Sequence, residues 1–312
     1  MIDTIKYRLS DYRSGTDFRE HIPCLLENPM KSVKEDETFF SGNLGNLKVK
    51  VSKNSLRVEN SLCKWFLGDN LQTLTRESIG FANEKLSDIL HVNMQNADVT
   101  RLDIGQNYST IHKPAVYINS LGELARFRKG VFANEGVNYR TKNIELALYD
   151  KLKEHKAKGN KVPADLASQN LLRYELRLMK NIKSTLKRSE FTVKDLSNID
   201  TYNQLQQLYN SMYNKIDKLP EINMGASGAK GVKGFKNMTS AYFINAIGQS
   251  KVIEQIKTDF LMGRISEKDR RSILKLIKDI SNNQTFFVER ECVTELNALI
   301  ESFSNQGNFN GL

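Results

Sequence analysis

Apolar and polar residues alternate at every second position in three short stretches. Each reads as a strand with one face for a core and one face for chemistry. In 99–108, Leu102 and Ile104 point to one side, Arg101 and Asp103 to the other. In 144–151, Ile144, Leu146 and Leu148 oppose Glu145, Tyr149 and Lys151. In 171–178, Leu172, Tyr174, Leu176 and Leu178 oppose Arg173, Glu175 and Arg177. Stacked in one sheet, these strands would gather carboxylates, a phenol, a lysine and several arginines on a single surface. That inventory suits metal-assisted phosphoryl transfer onto a tyrosine.

The same period-2 pattern predicts a strand over 2–9 and a hairpin from 47–51 and 56–59 around Ser52-Lys53-Asn54-Ser55, with Glu59 on its polar face. Helical spacing takes over in 70–90, where Leu71, Leu74, Ile79, Ala82, Leu86 and Leu90 recur. A helix is expected near 115–127, after Pro114, and another in the basic run 151–161, ended by Pro163. A further helix should follow 171–178 and carry Lys180, Lys183 and Lys187 on one face, with Arg188 beside them. Beyond it, Leu205, Leu208, Met212 and Ile216 form one stripe, and helices are expected near 239–262, 266–282 and 289–304. The expected class is α+β, a mainly antiparallel sheet with helices packed on one face, followed by a mostly helical C-terminal region. The expected division is a catalytic domain over 1–190, a helical connector over 191–224, a basic Gly-rich linker over 225–238 and a helical region over 239–312, its end from Ser304 a frayed tail.

Composition narrows the function. With 39% hydrophobic and 26% charged residues among 312, the chain is a soluble globular protein with ample core. A net charge of +10 points to a polyanionic partner, nucleic acid before membrane. No apolar run is long enough to span a bilayer, and the first residues lack a secretory pattern. Three scattered cysteines without C-x-x-C fit a reduced cytoplasm without structural zinc.

Tyr149 is the sharpest catalytic candidate, because it lies on the polar side of its strand together with Lys151, which could serve as phosphate clamp. A phenol titrates near pH 10, so its use as a nucleophile needs nearby cations or a metal. Asp103 and Glu175 are candidate ligands for Mg²⁺ or Mn²⁺, with Glu59 a candidate third. The spacing equally allows ion pairs, Asp103 with Arg101 and Glu175 with Arg173 or Arg177. Arg101, Arg173, Arg177, Lys153, Lys180, Lys183 and Lys187 are the candidates for DNA phosphate contact.

Several stretches are familiar in sequence and order: MIDTIKYRL, SGNLGNLKVKVS, KWFLGDNLQTLTRESI, EKLSDIL, VTRLDIGQNY, LALYDKLKEHKAKG and NLLRYELRLMK, together spanning about residues 1 to 190. The chain resembles the gene II/X family of phage and plasmid replication initiators. That resemblance implies rolling-circle initiation: origin-specific nicking of duplex DNA, a tyrosine joined to the 5′ phosphate, a free 3′ hydroxyl for the polymerase, and rejoining of the displaced strand. The nucleophile of the LALYDK-like motif falls on Tyr149, and the acidic residues of the R-x-D and R-x-E motifs fall on Asp103 and Glu175. No second tyrosine adjoins Tyr149, Tyr139 being the nearest upstream. The implied partners are double-stranded origin DNA, the displaced single strand, and a host helicase and polymerase in the bacterial cytoplasm. A plasmid-mobilisation relaxase and a non-catalytic origin- or operator-binding protein are the competing readings.

Overall fold

The computed structural model describes residues 1–10, 17–35, 37–132, 135–222, 231–281 and 287–305. Ten strands make one antiparallel sheet: β1 (Ile2–Ser10), β2 (Glu27–Lys34), β3 (Glu37–Leu44), β4 (Leu47–Ser52), β5 (Ser55–Ser61), β6 (Asp98–Thr110), β7 (Arg128–Phe132), β8 (Gly136–Arg140), β9 (Ile144–Asp150) and β10 (Asn170–Leu178). Their spatial order is β2-β3-β4-β5-β1-β6-β10-β9-β8-β7. The three strands singled out by alternation are therefore neighbours at its centre, with β10 between β6 and β9.

One face of the sheet is sealed. Leu102, Ile104, Leu146, Leu148, Leu172, Tyr174 and Leu176 are buried there, each large aliphatic contributing about 1.5–3 kcal/mol relative to exposure. Helix α1 (Arg76–Leu90) lays Ile79, Ala82, Leu86 and Leu90 on this core. It starts where the Thr75 side chain accepts from the Ser78 N–H and stops at His91, which is left-handed (φ 51°). A short helix α2 (Lys151–Ala157) leaves the end of β9. Helix α3 (Ile199–Asn214), capped by Asn198, buries Leu205, Tyr209, Met212 and Tyr213. Tyr174 and Tyr209 each donate a hydroxyl to the other's backbone carbonyl at 3.1 Å, which ties α3 to β10.

The C-terminal part is helical, as expected: α4 (Gly231–Ile247), α5 (Gln249–Leu261), α6 (Glu267–Ser281) and α7 (Glu291–Asn305). The expected helix near 239–262 is two helices, parted at Gly248, whose φ of 93° suits glycine. Helices α4 to α6 share a small core of Ala241, Ile244, Ile256, Ile277 and Ile280. Helix α7 instead returns to the main core through Val293, Leu296 and Ile300, and Tyr213 donates its hydroxyl to Asn297 across α3 and α7 at 2.9 Å. Of the expected Gly-rich linker, 225–230 lie outside the described residues, and 231–238 are not linker but the first turns of α4. Of the expected C-terminal tail, 306–312 lie outside them too.

Three helical expectations shrink, the one over 151–161 ending at Ala157. The helix entered at Pro114 ends at Asn119, and the one after β10 is a single turn, Ile182–Thr185. Lys180 precedes that turn and Lys187 follows it with φ 55°, so Lys180, Lys183 and Lys187 do not share a helical face. No helix is long and apolar enough to cross a membrane among the described residues.

Candidate active site

The open face of the sheet carries the chemistry, and the register of its central strands arranges it in rows. Asp103, Arg177 and Glu145 lie side by side across β6, β10 and β9. Next come Gly105, Glu175 and Ala147, then Asn107, Arg173 and Tyr149. Small residues thus flank Glu175 on both sides. A Cβ on Gly105 would lie 2.7 Å from the Arg173 guanidinium, so a side chain there would have to displace the buried arginine from its partners. Gly136 on β8 faces Tyr149, and a Cβ there would come within 3.1 Å of the tyrosine's own Cβ. These absences leave a cleft of about 630 Å³ lined by Tyr149, Glu175, Asp103, Arg101 and Arg177 among others.

Within it the Tyr149 hydroxyl donates to Glu175 Oε1 at 2.8 Å. Arg173 donates to the same oxygen, and Arg177 donates to the other Glu175 oxygen and to Glu145. Arg101 grips Asp103 in a two-point fork at 3.0 and 2.7 Å. The ion pairs permitted by the spacing therefore form. Arg173 also donates to Asp3, Asn107 and the Asn70 carbonyl.

These contacts pull the titrations apart. Burial pushes the Glu175 carboxyl up, but the charges of Arg173 and Arg177 outweigh it and hold it well below the carboxylate range. For Asp103 the balance reverses: burial, helped by the charge of Glu175, raises its carboxyl despite the Arg101 fork. Tyr149 is pushed well above its ordinary value, first by burial and then by the charge of Glu175. Its phenol thus rests protonated, hydrogen-bonded to an ionised acceptor.

The other expected residues are placed unevenly. Arg101 and Arg177 keep 39% and 27% of their side chains exposed and could turn from carboxylate to phosphate. Arg173, expected among the DNA contacts, is only 2% exposed; its donors are spent on protein acceptors, so it is a buried tie. Lys151 does not extend the strand. β9 ends at Asp150, whose side chain caps α2, and Lys151 becomes the first residue of that helix. Its ammonium is buried on Asn70 (3.0 Å) and Glu154 (2.9 Å), behind the cleft wall rather than in it. Glu59 sits on β5, with β1 between it and β6, and pairs with Lys6 at 2.7 Å, so it does not join Asp103 and Glu175. Lys153 is exposed at the cleft, 3.3 Å from Glu135, and Lys183 pairs with Asp98 at 3.0 Å. Tyr139 is fully buried with its hydroxyl on the Gly122 carbonyl, out of reach of a DNA strand.

Asp3, Asn70 and Glu154 were not foreseen. Asp3 occupies the apolar parity of β1, and the shift of register between Ile2 and Ile5 brings it to Arg173. An acidic residue at an apolar position was the one signal.

The family described as the N-terminal part of the gene II replication-associated protein matches residues 1–210. The chain belongs to that family of replication-associated proteins. The match spans the whole sheet, the cleft and most of α3. No individually curated protein matches.

Proposed function

We propose that the chain starts rolling-circle replication by nicking one strand of its origin, with Tyr149 as the nucleophile. The observation that carries this reading is the 2.8 Å hydrogen bond from the Tyr149 hydroxyl to Glu175 on the floor of a cleft rimmed by two accessible arginines. The phenolic oxygen attacks the scissile phosphorus while Glu175 Oε1, kept ionised by its arginines, orients the hydroxyl and relays its proton onward. The P–O3′ bond breaks, the 3′ oxygen leaves as the hydroxyl with the proton the phenol has given up, and the 5′ phosphate stays on the tyrosine. Arg101 and Arg177 exchange carboxylate for phosphate and hold the charge that builds on the non-bridging oxygens. Arg173, fixed by Asp3 and Asn107, keeps Glu175 ionised and aimed.

A divalent cation belongs to the same proposal. Among the described residues no three His, Cys, Asp or Glu converge as a metal cluster. Mg²⁺ in phosphoryl-transfer sites commonly rests on one or two carboxylates and completes its shell with water and substrate phosphate. Asp103 and Glu175 supply that donor set, and burial, with the charge of Glu175 added, already raises the Asp103 carboxyl. They would hold Mg²⁺ or Mn²⁺, which when bound would neutralise charge on the phosphate.

Supercoiled DNA of the replicon that encodes the chain is the test substrate. With Mg²⁺ it should become nicked circles. EDTA should stop the reaction and Mn²⁺ or Mg²⁺ restore it, whereas full nicking in EDTA would remove the metal from the reading. Asp103→Asn should cost about a hundredfold or more in rate. The same change should not lower the melting temperature at neutral pH. A carboxyl raised in the folded state stabilises folding only at low pH, and that benefit is lost as pH rises through its folded value, so neutral-pH Asp103 is a net strain. Binding should also be strongly salt-dependent, with Arg101, Arg177 and Lys153 at the cleft and Lys180, Lys183 and Lys187 beyond β10 as phosphate contacts.

A further inference from the structure

The open face does not end at the cleft. It continues over β1, β5 and β4, where the register sets Lys50 opposite Arg57 and Arg57 opposite Arg8, three cations side by side on three strands. One pair further along, Lys48, Glu59, Lys6 and Arg101 form a second row that ends at the cleft rim. Like charges directly opposite on antiparallel strands are destabilising. Nothing in the core demands them, because Val49, Val51, Leu56, Val58 and Tyr7 fill the sealed side of the same strands.

Carboxylates answer little of this charge. Glu59 is taken by Lys6, and that hydrogen bond, with the charges of Lys6, Lys48 and Arg101, holds its carboxyl below the usual range. Asp98, opposite Arg8, holds Lys183. Glu37 is the acidic residue lining a hollow of about 350 Å³ with Arg8, Lys50 and Arg57, where Ser52 and Ser55 add hydroxyl donors. Among the described residues no ion pair engages Lys48, Lys50 or Arg57. A second hollow of about 440 Å³ joins Lys50 and Arg57 to Lys48 and Lys6.

We infer that this face is the bed for the phosphate backbone of the DNA flanking the nick, running from Arg8, Arg57 and Lys50 past Lys6 to Arg101 and into the cleft. The inference rests on the nicking reading for its direction and on the charge rows for its existence. Adjacent strands lie about 4.8 Å apart, so β4 to β6 spans about 14 Å, over which one strand of B-form DNA presents about four phosphates. A polyanion there converts the repulsion of the aligned cations into binding energy. An anionic membrane would be drawn by charge too, but these cations line concave hollows beside Ser52, Ser55 and Asn54, which suits single phosphates on a strand.

The test replaces Lys48, Lys50 and Arg57 together with Gln in a Tyr149→Phe background, so that no readout depends on nicking. Binding of a short fluorescent duplex should weaken, and the slope of log affinity against log salt should fall by about 2.7, at about 0.9 per lost phosphate contact. Without DNA the melting temperature should change little, because the relief of repulsion at Lys50 and Arg57 offsets the loss of Lys48 opposite Glu59 and of Lys50 over the Phe39 ring. Removing the same charge from exposed Lys233, Lys236 and Lys257 should leave the slope nearly unchanged. An unchanged slope in the sheet variant, an equal loss in the helix variant, or a melting temperature that falls with the binding would each overturn the inference. So would undiminished duplex binding combined with lost binding to phosphatidylserine vesicles. Nicking by the wild-type chain is scored separately: its absence, with the slope change present, would sink the nickase reading and leave the DNA bed standing.

Discussion

Tyr149→Phe should abolish nicking of supercoiled DNA while leaving duplex affinity within about twofold. The substitution removes one oxygen and keeps the ring, and Tyr149 is half-buried beside Gly136 on a strand whose packing comes from its other face. Only the hydrogen bond to Glu175 is lost from the folded state, and Glu175 keeps Arg173 and Arg177. Stability should therefore shift by no more than about 1 kcal/mol, the net worth of one hydrogen bond. The nicking rate should fall below detection, since phenylalanine has no atom to join to phosphorus. Nicking at a comparable rate would remove Tyr149 from the reaction. The other tyrosines flanking the site offer no ready substitute, because Tyr139 and Tyr174 are fully buried with their hydroxyls engaged.

Arg173→Met should have the largest effect on stability. Its guanidinium is 2% exposed and pairs with both Asp3 and Glu175. Removing it leaves Asp3 with Ser61 and Asn70, and Glu175 with Arg177 and the Tyr149 hydroxyl, two buried carboxylates short of charge. Removing one partner of a buried pair costs about 3–5 kcal/mol, most of it the penalty for the charge left behind. Urea denaturation should register a loss of that size, and adding Asp3→Asn and Glu175→Gln should recover much of it by removing the stranded charges. A loss under about 1 kcal/mol, or no recovery in the triple variant, would mean that Arg173 is not the tie described. The wild type should show the matching acid sensitivity. Glu175 is held below its unfolded value, so its contribution is complete above the ordinary carboxylate range and is lost as pH falls toward its folded value.

The centre of the sheet was legible because it obeys one rule. β6, β9 and β10 each have an aliphatic side and a charged side, and period 2 assigns both without tertiary information. That these strands are neighbours did not follow from alternation. It follows from register, in which Arg177 meets both Asp103 and Glu145. The strands β2, β3, β7 and β8 were invisible for the opposite reason. β2 is exposed along its whole length and has no apolar face to alternate, and β7 and β8 are five residues each. Lys151 was misplaced by one residue, since Asp150 reads as a strand position until its side chain is seen capping α2. Asp3 escaped because a register shift overrides parity. In the candidate site, alternation therefore found the residues on the regular strands and missed those delivered by a register shift, a loop and a helix, Asp3, Asn70 and Glu154.

Attack by Tyr149 leaves a covalent protein–DNA adduct, and recovering that adduct is the decisive measurement. Wild-type protein incubated with Mg²⁺ and supercoiled replicon DNA, then denatured and digested with nuclease and protease, should yield a nucleotide-bearing peptide in mass spectrometry. The expected adduct is a phosphotyrosyl bond from Tyr149 to the 5′ phosphate of the nick, with a free 3′ hydroxyl that a polymerase extends. A 3′-linked adduct, an adduct on any other tyrosine, or confirmed nicking with no adduct at all would contradict that chemistry.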